Sequence, residues 1–260
     1  MKKYILLLFS ISCFAQFNPA QWYSYGKKNI TADITSNLVK YWKFNNNMTD
    51  EIDAQTPNAQ ASITYATGKI NESSVFNGTS SYATYNADAD LNMSTGSADV
   101  PFSVSFWAKP TSFSGEARII EHNQSTSSQF QWQIGRLNGN DAFSIWIFSQ
   151  SNTVGSDYKL ISVNAILNEW HHYVFTYNGS LTQGMKAYKD GVLLNSTATL
   201  SGSYTGMRNL SLNYGIGRRA AQSASYYNGE IDDLAVYRRE LSHTDVIALY
   251  NKGLSGLPIQ

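Results

Sequence analysis

Cysteine is almost missing from this chain: among 260 residues it occurs once, as Cys13. That residue stands inside an apolar N-terminal run that reads as a removable leader. The remainder can therefore form no disulfide, and it offers no thiolate as nucleophile or metal ligand. A packed core has to hold it together instead, and about 245 residues suffice to build one. Net charge is missing too, since 19 Lys plus Arg balance 19 Asp plus Glu. No basic stripe is available for a phosphate backbone, which argues against a nucleic-acid partner. No apolar run reaches the roughly 20 residues of a membrane span. Phosphate loops, a Gly-x-Ser-x-Gly elbow and a His-Glu-x-x-His pair are absent as well.

The composition is polar without being charged. It is rich in Ser, Asn and Thr and carries 17 Tyr, 12 Phe and 6 Trp, a mixture that suits β-strands with hydroxyl- and amide-bearing loops. The first fifteen residues have the shape of a secretory signal: Lys2 and Lys3, the apolar Tyr4 to Ile11, and the small-residue exit at Cys13-Phe14-Ala15. A secreted or cell-surface location follows, with lipid attachment through Cys13 as a minor alternative. Residues 16–36 read as a lead-in with little periodicity, and 37–260 as one domain.

From Leu38 onward short alternating segments are separated by turn residues. Phe102, Val104 and Phe106 share one face of a strand that Pro110 stops. Ser74-Val75-Phe76 and Tyr82 to Tyr85 flank Asn77-Gly78 as a hairpin or corner. Asp190-Gly191, between Met185–Lys189 and Val192–Asn195, is the strongest hairpin signal in the chain. One helix is expected near the end, capped by Ser242 with Asp245 three residues on, carrying Val246, Leu249 and Tyr250 on one face and closed by Gly253. Many short strands and one terminal helix predict an all-β sandwich of two antiparallel sheets.

These segments, in this order, resemble the bacterial secreted LamG-like jelly-roll family of the concanavalin A-like lectin/glucanase superfamily. The similarity rests on Leu38-Val39-Lys40-Tyr41-Trp42-Lys43-Phe44, Val75-Phe76-Asn77-Gly78 with Tyr82, and Phe102 through Pro110. It continues with Glu169-Trp170-His171-His172-Tyr173 through Tyr177, Lys189-Asp190-Gly191-Val192, and Gly229 through Tyr237 running into Arg239-Glu240-Leu241-Ser242. The resemblance implies a concanavalin A-like jelly roll, commonly with a structural calcium ion, that binds or adheres rather than catalyses. Carried over residue by residue, Asp232 would supply a carboxylate to calcium, Gly78 a backbone carbonyl, and the chain around Phe44 and Asn45 further oxygens. Without metal, Asp232 would instead accept hydrogen bonds from backbone amides and tie the ends of the domain together.

Because the superfamily also contains glycoside hydrolases, the carboxylates need a direct test. A retaining hydrolase needs two carboxyl groups about 5 to 5.5 Å apart, which a strand presents as Glu-x-Asp-x-Glu. Glu51-Ile52-Asp53 is completed by Gln55 and Glu230-Ile231-Asp232 by Leu234, so neither set is whole and the chain is read as a non-enzyme. His171 and His172 are neighbours on a strand and point to opposite faces. One is expected to be packed and hydrogen-bonded, the other semi-exposed. Carbohydrate or cell-surface glycan is the expected partner of a lectin-like, adhesive module, with Trp132, Arg136, Trp146, Arg218, Tyr226 and Tyr227 as candidate contacts. Gln131 and Gln133 interleave with Trp132. The alternative for each aromatic is the core. The alternatives for the whole are a protein-interaction or structural domain without a sugar site and, further off, a polysaccharide-active enzyme.

Overall fold

A computed structural model describes residues 32–124, 129–137, 139–150 and 157–260. The expected secretory signal, Cys13 and most of the expected lead-in lie outside the described residues. The packed unit begins at Asp33. Ile34 is buried, and its carbonyl accepts a hydrogen bond from Tyr237, so the last lead-in residues dock on the sandwich.

Two antiparallel sheets of eight strands face each other. The first contains β1 (Leu38–Trp42), β3 (Thr64–Thr67), β4 (Glu72–Asn77), β6 (Phe102–Pro110), β11 (His171–Tyr177), β12 (Met185–Lys189), β13 (Val192–Leu193) and β16 (Asn228–Tyr237). The second contains β2 (Ala59–Ala61), β5 (Tyr82–Tyr85), β7 (Ala117–Gln124), β8 (Gln129–Arg136), β9 (Ala142–Phe148), β10 (Tyr158–Asn164), β14 (Thr199–Ser201) and β15 (Tyr214–Ile216). The first sheet runs β13-β12-β11-β6-β16-β4-β3, with β1 also paired to β16, and the second β14-β10-β9-β8-β7-β15-β5-β2. The expected jelly-roll sandwich is what forms. Asn77-Gly78 is a corner rather than a hairpin, because β4 and β5 belong to different sheets.

Alternation explains the core. Phe102, Val104, Phe106, Trp132, Ile134, Phe143, Ile145, Phe175, Ile231 and Val236 point between the sheets and are all but inaccessible. Apolar burial on this scale stabilises by roughly 25 cal/mol per Å². The Asp190-Gly191 hairpin has positive φ at both residues, 52° and 79°, and sets Lys189 opposite Val192. Those angles are those of a type I′ turn, whose twist matches the strands it joins.

The outer face of the first sheet is covered by helix α1 (His243–Leu254), which begins as expected at the Ser242–Asp245 capping box. Gly253 does not close it. The helix passes through that residue, where a Cβ would lie 2.4 to 2.6 Å from the Trp107 indole, so the glycine permits close approach to the sheet. Tyr250 stacks on Trp107, and His172 lies beside both rings. His172 is buried with Ser105 Oγ 2.8 Å from its Nε2. His171 faces the other way and is partly exposed, its Nδ1 2.6 Å from Asp190. The division of the pair into one packed and one semi-exposed ring is as read from the sequence.

Burial pushes the His172 pKa down to about 3. The unfolded chain takes up that proton near pH 6.5, the folded one only near 3. The contribution of neutral His172 is therefore complete above pH 6.5 and lost as the pH falls toward 3. Urea melts should show wild type losing stability relative to His172→Gln by about 1.4 kcal/mol per pH unit between pH 6 and 4. A difference that does not move with pH would mean the ring is protonated in the folded protein.

Candidate ligand-binding groove

A strand has two faces, and adding one residue to it exchanges them. In β7, Arg118 pairs with Gly135 and Ile120 with Ile134, leaving Ile119 as an extra residue. Both isoleucines enter the core, and Arg118 and Glu121 emerge on the outer face of the second sheet. In β8, Trp132 pairs with His122 and Phe130 with Asn123, leaving Gln131 extra. Gln131 turns inward, accepting from Met93 N and donating to Asn92 and the Arg208 carbonyl. Phe130 is thereby moved to the same outer face as Gln133.

The result is a groove of about 320 Å³ running along β7, β8 and β9. One end is aromatic: Phe130 and Phe148 lie 5.2 Å apart, centroid to centroid, and Tyr158 meets Phe148 edge-on at 6.2 Å. The other end carries alternating charges. Arg118 Nε donates to Glu121 at 3.2 Å and its Nη2 to Glu116 at 3.3 Å, and Arg219 Nη2 donates to Glu116 at 2.7 Å. Glu121 also accepts from Ala220 N at 2.9 Å. Burial raises the Glu121 pKa, against the pull of Arg118 and the Ala220 amide. In Glu116 burial acts upward too, but Arg118, Arg219 and Ser225 outweigh it and hold the carboxyl below its ordinary value. Gln133 closes the middle, its Oε1 accepting from Asn123 Nδ2 at 2.8 Å.

The residues expected to touch a ligand separate on this geometry. Trp146 lines the groove, but only as floor, being 3 % exposed with the Arg118 guanidinium 6.0 Å from its ring. Trp132 and Tyr227 are corrected to core residues, since the alternation that puts Gln133 and Tyr226 outward turns them in. Trp132 is fully buried, donates to the Leu91 carbonyl at 2.9 Å and packs on Phe102. Tyr227 packs between Phe76 and Phe143. Arg136 is also corrected: it is buried and donates to the carbonyls of Gly115, Leu137 and Asn140, bracing loops. Arg218 sits over the Tyr82 ring, its Cζ 3.4 Å from the centroid, and donates to Tyr226 at 3.2 Å. That cluster is outside the groove lining.

The expected calcium residues separate as well. Asp232 lies on the outer face of the first sheet beneath the 68–72 segment. Its Oδ2 accepts from Ile70 N at 2.7 Å, while Oδ1 is buried without a hydrogen-bond partner. Burial pushes its pKa up to about 8, with adjacent Asp233 adding to the rise and backbone amides opposing it. Asn45 is near, its Oδ1 accepting from Glu72 N at 3.2 Å, and buried Phe44 precedes it at φ 59°. Gly78 is elsewhere: its N–H donates to the Tyr227 carbonyl, five residues along β16, or about 16 Å at the rise of a strand. Among the described residues no group of three His, Cys, Asp or Glu is placed to hold a metal ion. The Glu51-Ile52-Asp53 stretch is a turn, not a strand. Asp53 there joins Asp50 and Asp88 around the buried Lys40 ammonium, and Glu51 pairs with Lys43.

These two sheets and their covering helix define a jelly-roll sandwich. The chain belongs to the concanavalin A-like lectin/glucanases superfamily, residues 77–247 matching its Laminin_G_3 family. No curated protein matches the chain. Among solved structures it is similar in fold to the binding domain of Paraclostridial mosquitocidal protein 1 (TM-score 0.62, 15 % identity, 83 % of this chain and 52 % of that one). It is likewise similar to the botulinum neurotoxin DC binding domain solved with rat synaptotagmin II (0.61, 15 %, 84 % and 52 %). A third is domain 4 of the extracellular arabinanase AbnA from Geobacillus stearothermophilus, solved with arabinotriose (0.57, 20 %, 83 % and 98 %). The chain spans about half the length of the two toxin domains. At 15 to 20 % identity these similarities show the fold.

The Arg118–Glu121 pair is almost wholly removed from water, at 3 % and 2 % side-chain exposure. Arg118→Leu leaves a buried carboxylate without its cation, and stability in urea should fall by about 3–5 kcal/mol. Arg118→Leu with Glu121→Leu should recover most of that loss. A double variant no better than the single one would show that the two side chains do not act as a pair.

Proposed function

We propose that the protein is an exported carbohydrate-binding or adhesive module, and that the groove on the second sheet holds the sugar. The observation that carries this reading is the groove's composition. Flat rings at Phe130 and Tyr158 are partly exposed beside Phe148, and amides and a carboxylate follow within the same trough. Apolar faces with a few placed polar groups are what a small-molecule site offers, and a saccharide presents a C–H face and a rim of hydroxyls. The binding-domain character of the similar folds supports the same reading, and the secretory shape of residues 1–15 supports export. A glycan array with the chain lacking its leader should return saccharide ligands. Phe130→Ala and Tyr158→Ala should each weaken the best of them at least tenfold, about 1.4 kcal/mol, while Tyr226→Phe leaves it within twofold. Saccharide binding indifferent to Phe130 and Tyr158 would place the site elsewhere.

We further propose a structural calcium site at Asp232, with Phe44 and Asn45 as the other contributors and Gly78 withdrawn. The buried, unpartnered Oδ1 of Asp232 supports it. A hard cation takes oxygen ligands from carboxylate, amide and backbone carbonyl, and would offset the cost of burying that charge. The chain's own contribution is to hold Asp232 in place through Ile70 N. Adding EDTA should lower the melting temperature of wild type and leave Asp232→Asn unaffected. An unchanged wild-type melt would mean that Asp232 serves only the backbone amides.

A further inference from the structure

We infer that the groove takes a neutral saccharide and discriminates against sugars bearing carboxylate or sulfate. This rests on the groove being the binding site. Its lining contains two cations, Arg118 and Arg219, and two anions, Glu116 and Glu121, so its formal charge is zero. Each cation is already bound to a carboxylate of the lining, although the Arg219 Nε is buried without a hydrogen-bond partner. Arg118 gives Nε to Glu121, Nη1 to the Ala117 carbonyl and Nη2 to Glu116. Arg219 gives Nη1 to Gln222 and Nη2 to Glu116. An anionic ligand would have to shed water while the two guanidinium groups stay bound to their own carboxylates. Such a desolvation is unfavourable unless a partner is supplied, and Glu116, about one-third exposed, would repel the newcomer.

The uncharged groups match a polyol instead. Gln133 and Gln222 have their carbonyl oxygens taken by Asn123 and Arg219, which leaves the amide N–H groups as the ends available for hydroxyl oxygens. The Tyr158 hydroxyl at the aromatic end both donates and accepts. Hydroxyl groups do both as well, so the lining suits a diol rim over a stacked sugar face. Affinity for such a ligand should be insensitive to salt, since no net charge is exchanged.

The test is calorimetric titration of the chain lacking its leader, at 50 and 500 mM salt. The neutral probes are cello-, xylo-, malto- and arabino-oligosaccharides. The acidic probes are oligogalacturonate and a sulfated galactan oligosaccharide. At least one neutral probe should bind, with an affinity that changes less than twofold between the two salts, and both acidic probes should bind at least tenfold more weakly. Glu116→Gln, which leaves the lining with one excess positive charge, should raise the affinity for oligogalacturonate at least fivefold at 50 mM salt, and circular dichroism would confirm that this variant is folded. An acidic probe that binds wild type more tightly than every neutral one, with loss on Phe130→Ala, overturns this inference and leaves the groove as the site. Absence of binding by any probe overturns the proposed function and this inference with it.

Discussion

The phase of side-chain alternation is the constraint on which the rest of this structure depends. A sandwich strand sends every second residue into the core, so a single inserted residue reassigns all that follow. Of the four register shifts among the described residues, three bear on the candidate sites. Ile119 in β7 and Gln131 in β8 place Arg118, Glu121 and Phe130 in one groove. In β16 the register shifts between Asp232 and Ala235, with Asp233 at φ 51°. There β16 changes its partner from β4 to β1, and two acidic residues are buried side by side. Both functional proposals sit where the ladder is irregular, as bulges beside sites commonly are.

The covering of one sheet decides where a ligand can go. Helix α1 and the C-terminal residues close the outer face of the first sheet: Ile259 N donates to the Tyr41 hydroxyl, which in turn meets Asp233. Burial and Asp233 both raise the tyrosine pKa, so the phenol stays protonated and can donate. The polar residues beneath that cover and the 68–72 segment, Ser105, His172, Asp232 and Asp233, are buried. On the second sheet the outward residues of β7, β8 and β9 form the floor of a groove whose partly exposed residues include Phe130, Tyr158, Arg219 and Gln222. The groove therefore lies on the face that the helix does not cover, and its floor is rigid because Trp146, Gln133 and Glu121 sit opposite one another on three consecutive strands.

Much of the sandwich was legible in the sequence because its signals are local. Asp190-Gly191 dictates a turn wherever it falls between strands, Ser242 and Asp245 cap a helix by themselves, and the alternation from Phe102 to Phe106 needs no partner to be read. The short edge strands β2, β3 and β14 were not legible: Ala59–Ala61, Thr64–Thr67 and Thr199–Ser201 are mostly exposed and are strands only because a neighbour pairs with them. The candidate site was half legible. Aromatic residues beside glutamine point to β8 and β9, but composition alone does not show that Trp132 and Tyr227 face the core or that Arg136 braces loops. For Arg118, Glu121 and Phe130 the missing information was the two bulges. One signal existed for β7, the doubled Ile119-Ile120 in a run that otherwise alternates. Gln131 gave none, because its inward placement depends on Met93, Asn92 and Arg208 from distant parts of the chain.

The four-charge ladder would be a poor device for stability alone. Withdrawing Arg118 and Glu121 from water costs several kcal/mol per ion, and a well-packed apolar pair of the same volume commonly does as well or better. What an apolar pair could not do is keep polar rims at fixed positions beside an aromatic trough. Glu116 holds Arg219 and Ser225, Arg219 holds Gln222, and Glu121 holds the Ala220 amide. The ladder thus fastens the 217–227 loop to β7 and fixes one wall of the groove. Its charges cancel within the wall, so they organise the site without imposing a charge on what enters it. Pre-organisation of this kind lowers the ordering cost of binding, which matters for a ligand whose hydroxyls must already give up their hydrogen bonds to water.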